Sequence, residues 1–423
     1  MRLAPDSTLQ TVPELAESTI QGLGAEHAEV IRATLPLVAA HIDQITPLFY
    51  TKMFTAHPEL LRDRFNRGNQ HQGAQQKALA ASIAVFATHL VDPGLPHPRE
   101  LLARIGHKHA SLGVTEPEYR IVHEHLFAAI VEVLGADVVT PEIAGAWDRV
   151  YWLMATTLID FERELYDAAG VAPGDVFRET RVVQRIDDPS GVSTFVVESA
   201  DPSEPLPGFI PGQYISVGAR LPDGARQLRQ YSLINRGGDG RLAFTVRRVL
   251  ADADTPAGEV SNWLHDTVGA GDTLEITLPF GDLTIDTEAT TPVVLISAGI
   301  GVTPMAGILE YLAAETPTRR TVILHADRST TAHPLRETVD ELAHRLADVY
   351  FRAWYEADGH GLLDVTQIDL PEDADYYLCG GTGFLQYVRA QLMSAGIPSD
   401  RVHFELFAPN DWLLDADQQP ALA

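Results

Sequence analysis

The sequence holds a single cysteine, Cys379, among its 423 residues. Intrachain disulfides are therefore excluded, which fits a reducing cytoplasm. Covalent haem attachment through Cys-x-x-Cys-His and any cysteine-held iron–sulfur cluster are excluded too. Long apolar runs are also missing. None reaches the ~18 residues a membrane helix needs. The most apolar stretch, Pro292 to Met305, is interrupted by Gly299, Gly301 and Thr303. The opening residues MRLAPDSTLQTVPELAES lack a basic start and an apolar core, so no secretory signal is expected and residues 1–25 read as an extension. Positive charge is scarce: 31 Lys and Arg face 58 Asp and Glu, a net charge of −27. Such a surface repels phosphate backbones and anionic lipid, so no nucleic-acid or membrane partner is expected.

A chain of this length predicts two or three domains. Residues 26–168 carry helical periodicity. Leu35, Val38, Ile42, Ile45 and Phe49 step by three and four, with Pro47 predicting a bend. Thr115-Glu116-Pro117-Glu118 has the form of a capping box, opening a helix with the inner stripe Tyr119, Val122, Leu126, Ile130 and Val133. A last helix is expected over Trp147 to Tyr166. The Gly/Pro-rich stretch DAAGVAPGDVF ends this regime. Residues 175–286 then show short alternating strands, as in RLAFTVRR and TLEITLP, which predicts an all-β barrel. Residues 290–412 alternate apolar strands with helices, the pattern of an α/β domain on a parallel sheet. The expected order is all-α, then all-β Greek-key barrel, then parallel α/β.

Within LLARIGHKHASLG, Leu101, Ile105 and His109 share one helix face. His109 is expected to face inward and His107 to face solvent. In the last helix, Tyr151, Ala155, Leu158 and Glu162 form one stripe, while Glu164 points away. A lone carboxylate on an apolar face needs a partner. By themselves these residues leave core packing and metal ligation both open.

ISAGIGVTPM, Ile296 to Met305, is a strand, a glycine loop and a helix start suited to a phosphate. Pro304 replaces the third glycine of the ordinary dinucleotide fingerprint. Taken in order, PGQY, RQYS, GEVSNWLH, AGIGVTPM, LCGGTGF and FELF resemble the ferredoxin-reductase family over about residues 175–410. The resemblance implies an FAD-binding barrel followed by a nicotinamide-binding domain. It implies that Arg229 pairs with the FAD diphosphate, helped by the helix start at Val260 and Ser261. Tyr214 and Tyr231 would pack on or hydrogen-bond to the flavin, and Gln230 and Ser232 would lie beside it, the serine at its polar edge. Phe407 would cover the flavin face, with Glu405 nearby. Gly299, Ile300, Gly301, Val302, Thr303 and Pro304, with Cys379, Gly380 and Phe384, would hold NAD(P)H. Gly381, Leu406 and Ala408 depart from that family's usual residues.

LFYTKMFTAHPEL, FNRGNQHQGAQQKAL and ARIGHKHASLG, followed by EYRIVHEHL and FERELY, resemble the globin domain of flavohaemoglobins. With the reductase, the resemblance covers about residues 27–410. It implies haem b, with His109 as axial iron ligand and Tyr119 and Glu162 raising that ligand's basicity. On the opposite haem face it implies Tyr50 and Gln75 beside a diatomic ligand, with Phe65 and Leu79 against the porphyrin and Lys108 between haem and flavin. The implied activity is nitric oxide dioxygenation: NAD(P)H reduces FAD, FAD reduces haem, and ferrous haem with O2 converts NO to nitrate. Two other functions stay open on the residues alone. One is a haem-based O2 or NO sensor with a reducing domain. The other is a general flavin reductase of chelates or quinones. Asp327 beside Arg328 opposes a 2′-phosphate and favours NADH. A monomer is expected.

Overall fold

The computed structural model describes residues 23–71, 73–92, 99–251 and 256–407. Residues 1–22, Ala408 and the rest of the C-terminal stretch named above lie outside the described residues. Among the described residues eight helices come first: α1 (Ala25–Ala40), α2 (Ile42–Ala56), α3 (Pro58–Asp63), α4 (Arg67–His71), α5 (Ala74–Val91), α6 (Arg99–Leu112), α7 (Glu116–Leu134) and α8 (Pro141–Ala168). Their apolar faces converge on one core that includes Ile31, Ile45, Phe49, Met53, Phe86, Leu126 and Leu158. The chain turns at His41, not at Pro47, which sits inside α2. Pro47 and Asp43 are both exposed, so water can satisfy the Asp43 carbonyl that the proline leaves without a donor. The capping box forms as expected: the Thr115 N–H donates to the Glu118 carboxylate at 2.6 Å. The last helix begins at Pro141, ahead of the expected Trp147, because Thr140 caps it by accepting from the Ile143 N–H.

The barrel comprises β1 (Phe177–Asp188), β2 (Val192–Ser199), β3 (Tyr214–Arg220), β4 (Arg226–Ser232), β5 (Arg241–Arg247) and β6 (Thr273–Thr277), in the spatial order β4-β3-β6-β1-β2-β5. Its named strand pairs are antiparallel. Leu242, Phe244 and Val246 fill the interior, as their alternation predicts. The intervening Ala243 and Thr245 are buried too, because other parts of the molecule cover the outer face. Helix α9 (Glu259–Thr267) packs Val260 and Leu264 into the same core.

The third unit is a parallel sheet in the order β11-β10-β7-β8-β9. Its strands are β7 (Val293–Ala298), β8 (Thr321–Asp327), β9 (Val349–Tyr355), β10 (Asp375–Gly380) and β11 (Val402–Leu406). Helices α10 (Val302–Glu315), α11 (Arg336–Ala343) and α12 (Thr382–Ser394) connect or flank them. The chain leaves β7 toward β8 and later returns to its other side through β10, so the loop after β7 is a topological switch point. At Gly307 in α10 a side chain would collide with the Leu233 carbonyl, so glycine lets this helix lie against the barrel backbone.

Helix α6 joins all three units. Ser111 accepts a hydrogen bond from Ser216 of β3 at 3.1 Å. Arg104 donates to the Phe404 carbonyl of β11 at 3.0 Å. His107 does not face solvent: its Nδ1 accepts the Gly281 N–H at 3.1 Å, and its ring meets Phe161 edge-on. Burial lowers its pKa, so the neutral ring that this acceptor role requires is favoured. The helix period placed His107 away from His109 correctly, but α8 and a neighbouring domain together cover that face.

Candidate active site

One cavity of about 620 Å³ runs from the helical unit to the barrel, with Leu79, Ile83, Ile105, Met154 and Leu158 among its apolar walls. His109 lines it. The His109 Nδ1 lies 2.8 Å from Glu162 Oε1 and 2.9 Å from the Tyr119 hydroxyl. The Tyr119 hydroxyl donates a short hydrogen bond to the same carboxylate oxygen. A carboxylate oxygen accepts, so the ring carries a proton on Nδ1, and its other nitrogen, Nε2, lies on the cavity side. Burial, and then the Glu162 carboxylate, raise the Tyr119 pKa, keeping it a donor. Tyr151 fixes this arrangement from behind by donating to the Tyr119 carbonyl at 2.5 Å. Glu162 is buried, as the stripe on α8 predicts, and Glu164 is exposed.

Across the cavity stands Tyr50, buried in α2, its pKa raised by burial. Its hydroxyl is 3.4 Å from the Gln75 carbonyl. Gln70 donates to the Gln75 side chain at 2.9 Å. Sequence reading missed Gln70, because α4 and α5 are separate helices and no single period links it to Gln75. Phe65 presents its edge to Tyr50 at a centroid distance of 6.0 Å. Tyr50, Phe65, Gln75, Leu79 and His109 all line this one space.

At the barrel end Tyr214, Arg229, Gln230, Tyr231 and Ser232 from β3 and β4 face the first turn of α9, where Val260 and Ser261 lie. Arg229 donates to the Leu228 carbonyl at 2.7 Å and forms no ion pair among the described residues. Burial lowers its pKa. A half-buried guanidinium held in no ion pair, beside helix amides, is a place for an anion. Tyr231 stacks on Phe244, which sets the plane of its ring. Arg247, missed in the sequence, lines both this cavity and the next. Its position as the last residue of β5, after TV, was the available signal.

Lys108, one residue before His109, is accessible from the cavity yet lies deep among protein atoms. Burial lowers its pKa and Glu405 raises it. Glu405, Leu406 and Phe407 line the cavity opposite. Burial pushes the Glu405 carboxyl up to about 8, helped by Asp282 and opposed by Arg104 and Lys108. Between its ordinary value of 4.5 and about 8, the folded chain holds a proton here that the unfolded chain releases. Stability from this group is therefore complete below 4.5 and is lost as pH rises to about 8. Wild-type melting temperature should fall across that range relative to Glu405→Gln. Parallel pH profiles from scanning calorimetry would show the assignment to be wrong.

A second cavity of about 450 Å³ opens at the C-terminal ends of the parallel strands. Gly299 and Phe384 line it, with Arg247, Asp327, Arg328, Trp354 and Tyr387. Ile300 and Thr303 line the first cavity instead. Gly301, Val302, Pro304, Cys379 and Gly380 line neither and form the buried scaffold. Burial pushes the Cys379 thiol well up, so it is no ready nucleophile. At Gly301 a side chain would collide with the Cys379 carbonyl. Overpacking of this kind costs about 1–3 kcal/mol. Gly301→Ala should lower the melting temperature and raise the KM for the nicotinamide nucleotide without altering spectra from the helical unit. An unchanged KM would exclude the loop from nucleotide binding.

A histidine held by a buried carboxylate in a helical cavity, opening onto a barrel and a nucleotide-type sheet, defines a globin joined to a two-domain reductase. Comparison with known proteins agrees. Residues 47–158 match the globin family and residues 295–390 the oxidoreductase NAD-binding domain. A flavohemoprotein of Bordetella parapertussis is 39% identical over 404 residues, covering 91% of this chain and 98% of that protein. One from Rhizobium meliloti is 38% identical over 399 residues, covering 90% and 97%. Among solved structures, a flavohemoglobin of Malassezia yamatoensis with bound FAD and haem has a TM-score of 0.83 at 38% identity, covering 92% of this chain and 100% of that one. The chain belongs to the flavohemoprotein family. The FAD/NAD-binding domain of a nitric oxide dioxygenase from Vibrio cholerae is 33% identical with a TM-score of 0.51, covering 55% of this chain and 99% of that domain.

Proposed function

We propose that this chain is an NAD(P)H-driven nitric oxide dioxygenase that carries haem b and FAD. The observation that carries the reading is the His109 Nε2 on the cavity side, its ring backed by Glu162, in a cavity continuous with the Arg229 anion cradle. The donor sets suit both groups: an imidazole backed by a carboxylate among apolar walls for haem, and a half-buried cation beside helix amides for a diphosphate. When bound, the two groups supply the electron path, FAD converting a hydride into single electrons for haem, where NO and O2 become nitrate.

The protein's own residues do the rest. His109 would hold the iron, and the Glu162 carboxylate, by accepting the Nδ1 proton, would make the ring a stronger donor to it. Tyr50 would aim its hydroxyl proton at the site of the diatomic ligand, stabilising negative charge there. Gln75 and Gln70 hold that hydroxyl's surroundings, while Phe65 and Leu79 exclude water. Arg229 and the amides of Val260 and Ser261 would bind the diphosphate. Tyr214, Gln230, Tyr231 and Ser232 would orient the flavin, and Phe407 would cover its face until nicotinamide displaces it. Lys108 and Glu405 lie between the two redox sites and would adjust their field. Gly299 and Phe384 would admit the nucleotide, and the Asp327 carboxylate at the end of β8 favours NADH over a 2′-phosphate.

The balanced reaction takes two NO, two O2 and one NADH to two nitrate, NAD⁺ and a proton. The test is a purified protein with haem and flavin absorbance at equal stoichiometry. Adding NO aerobically should oxidise one NADH for every two nitrate formed. A gas sensor would bind NO without steady NADH oxidation, and that result would overturn the reading.

A further inference from the structure

Gln227 is buried in β4, yet its side chain leaves its own barrel. Its amide nitrogen donates to the Arg62 carbonyl at 3.0 Å and the Phe65 carbonyl at 3.1 Å, with the Leu61 carbonyl at 3.4 Å. Its amide oxygen accepts the Arg67 N–H at 3.2 Å and an Arg229 N–H at 3.3 Å. A primary amide has two donors and two acceptor sites, and all are used here. Leu61 and Arg62 belong to the last turn of α3, where a helix leaves its carbonyls without partners. A side chain of the barrel thus caps a helix of the globin unit.

The two ends of this amide touch different chemistry. One holds the backbone of Phe65, whose ring packs edge-on against Tyr50. The other holds Arg229, the cation of the anion cradle. Neighbouring contacts run the same way. Arg67 pairs with Asp223 at 2.6 Å and with Glu259, in the first turn of α9, at 2.7 Å. The Asp63 carboxylate accepts the Arg226 N–H at 3.1 Å.

We propose that Gln227 is a positioning residue for electron transfer between the two halves, setting the haem-pocket wall at Phe65 and Tyr50 against the diphosphate cradle at Arg229. This rests on the reading that haem and FAD occupy the common cavity. Transfer between two held groups depends on their mutual placement, and a small shift between domains changes it while each domain's own chemistry persists. A glutamate of the same shape keeps the acceptors for Arg67 and Arg229. It loses both donors and sets negative charge against three carbonyls. A leucine loses both sides.

The experiment uses the full-length protein with both cofactors. Anaerobic stopped-flow mixing with NADH follows flavin reduction and haem reduction separately. In Gln227→Glu, haem reduction should slow by about tenfold or more, while flavin reduction keeps its wild-type dependence on NADH. The C–O stretching band of the ferrous CO form should shift, because it reports the Tyr50 environment. Gln227→Leu should show the same haem effect with weaker FAD retention. Unchanged haem reduction and an unchanged C–O band in Gln227→Glu overturn the proposal. A wild-type protein without haem or flavin overturns the functional reading instead. If both variants lose their cofactors, hydrogen exchange in the wild-type protein decides. Slow exchange of the Arg67 amide supports the clamp, and exchange at the rate of an open loop overturns it.

Discussion

Replacing His109 with alanine should abolish NO-dependent NADH oxidation and leave flavin-dependent reduction of ferricyanide in place. The two outcomes separate because the residues involved lie in different units. Among the described residues, His109 is the one histidine that lines the helical part of the cavity, its Nδ1 being engaged by Glu162. Arg229, Tyr231 and Ser232 stand on β4 of the barrel, whereas His109 and its hydrogen-bond partners Tyr119 and Glu162 stand on helices of the first unit. Substitutions one shell out from a metal ligand cost roughly 10- to 100-fold in affinity or activity, so loss of the ligand itself should exceed that range. The haem Soret band should be weak or absent in the purified variant, while flavin absorbance matches wild type. The fold should survive, because α6 keeps Leu102 and Ala110 buried and Glu162 keeps the Tyr119 hydroxyl as a donor. Loss of one hydrogen bond to that carboxylate costs about 1–3 kcal/mol. Retention of NO turnover in His109→Ala would remove the central assumption.

Glu162→Gln should lower NO turnover by about 10- to 100-fold with haem still bound. The amide oxygen can still accept the Nδ1 proton at the observed 2.8 Å, so ring orientation is kept. What is lost is the negative charge that makes the imidazole a stronger electron donor. The ferrous iron–histidine stretching frequency in resonance Raman spectra should fall accordingly. Stability should hold or rise, because a buried carboxylate is costly to desolvate and its neutral isostere is not. That combination, weaker catalysis in an equally stable protein, distinguishes an electronic role from a packing role. Turnover loss with an unmoved iron–histidine band would instead assign Glu162 to packing.

Much of this site could be read along the chain. His109 and Glu162 were placed by a single rule, the 3.6-residue period, because each faces the core of its own unit and that core is built from its own helix neighbours. The strands VVLIS, TVILHA and DYYLCG are apolar enough to announce a sheet buried on both faces, and they pair in parallel as expected. Glycines likewise announced the tight turn after β7, which forms at Gly299–Gly301.

Residues whose roles depend on another unit were not legible. His107 lies away from the His109 face of α6, where Phe161 of α8 and the docked Gly281 N–H together cover it. Arg104 reads as a surface cation until β11 lies over it. Gln227 reads as an alternating strand residue, yet it caps a helix more than 160 positions earlier in the chain. Cys379 and Gly301 sit in nucleotide-type motifs, and the tertiary structure makes them scaffold behind the loop. Local periodicity and turn chemistry act over a few residues, so the sequence alone determined the elements, their inner faces and the order of the three units. Contacts between units depend on how finished surfaces meet, and no local pattern encodes that, so only the tertiary structure decided which polar side chains bind the units together.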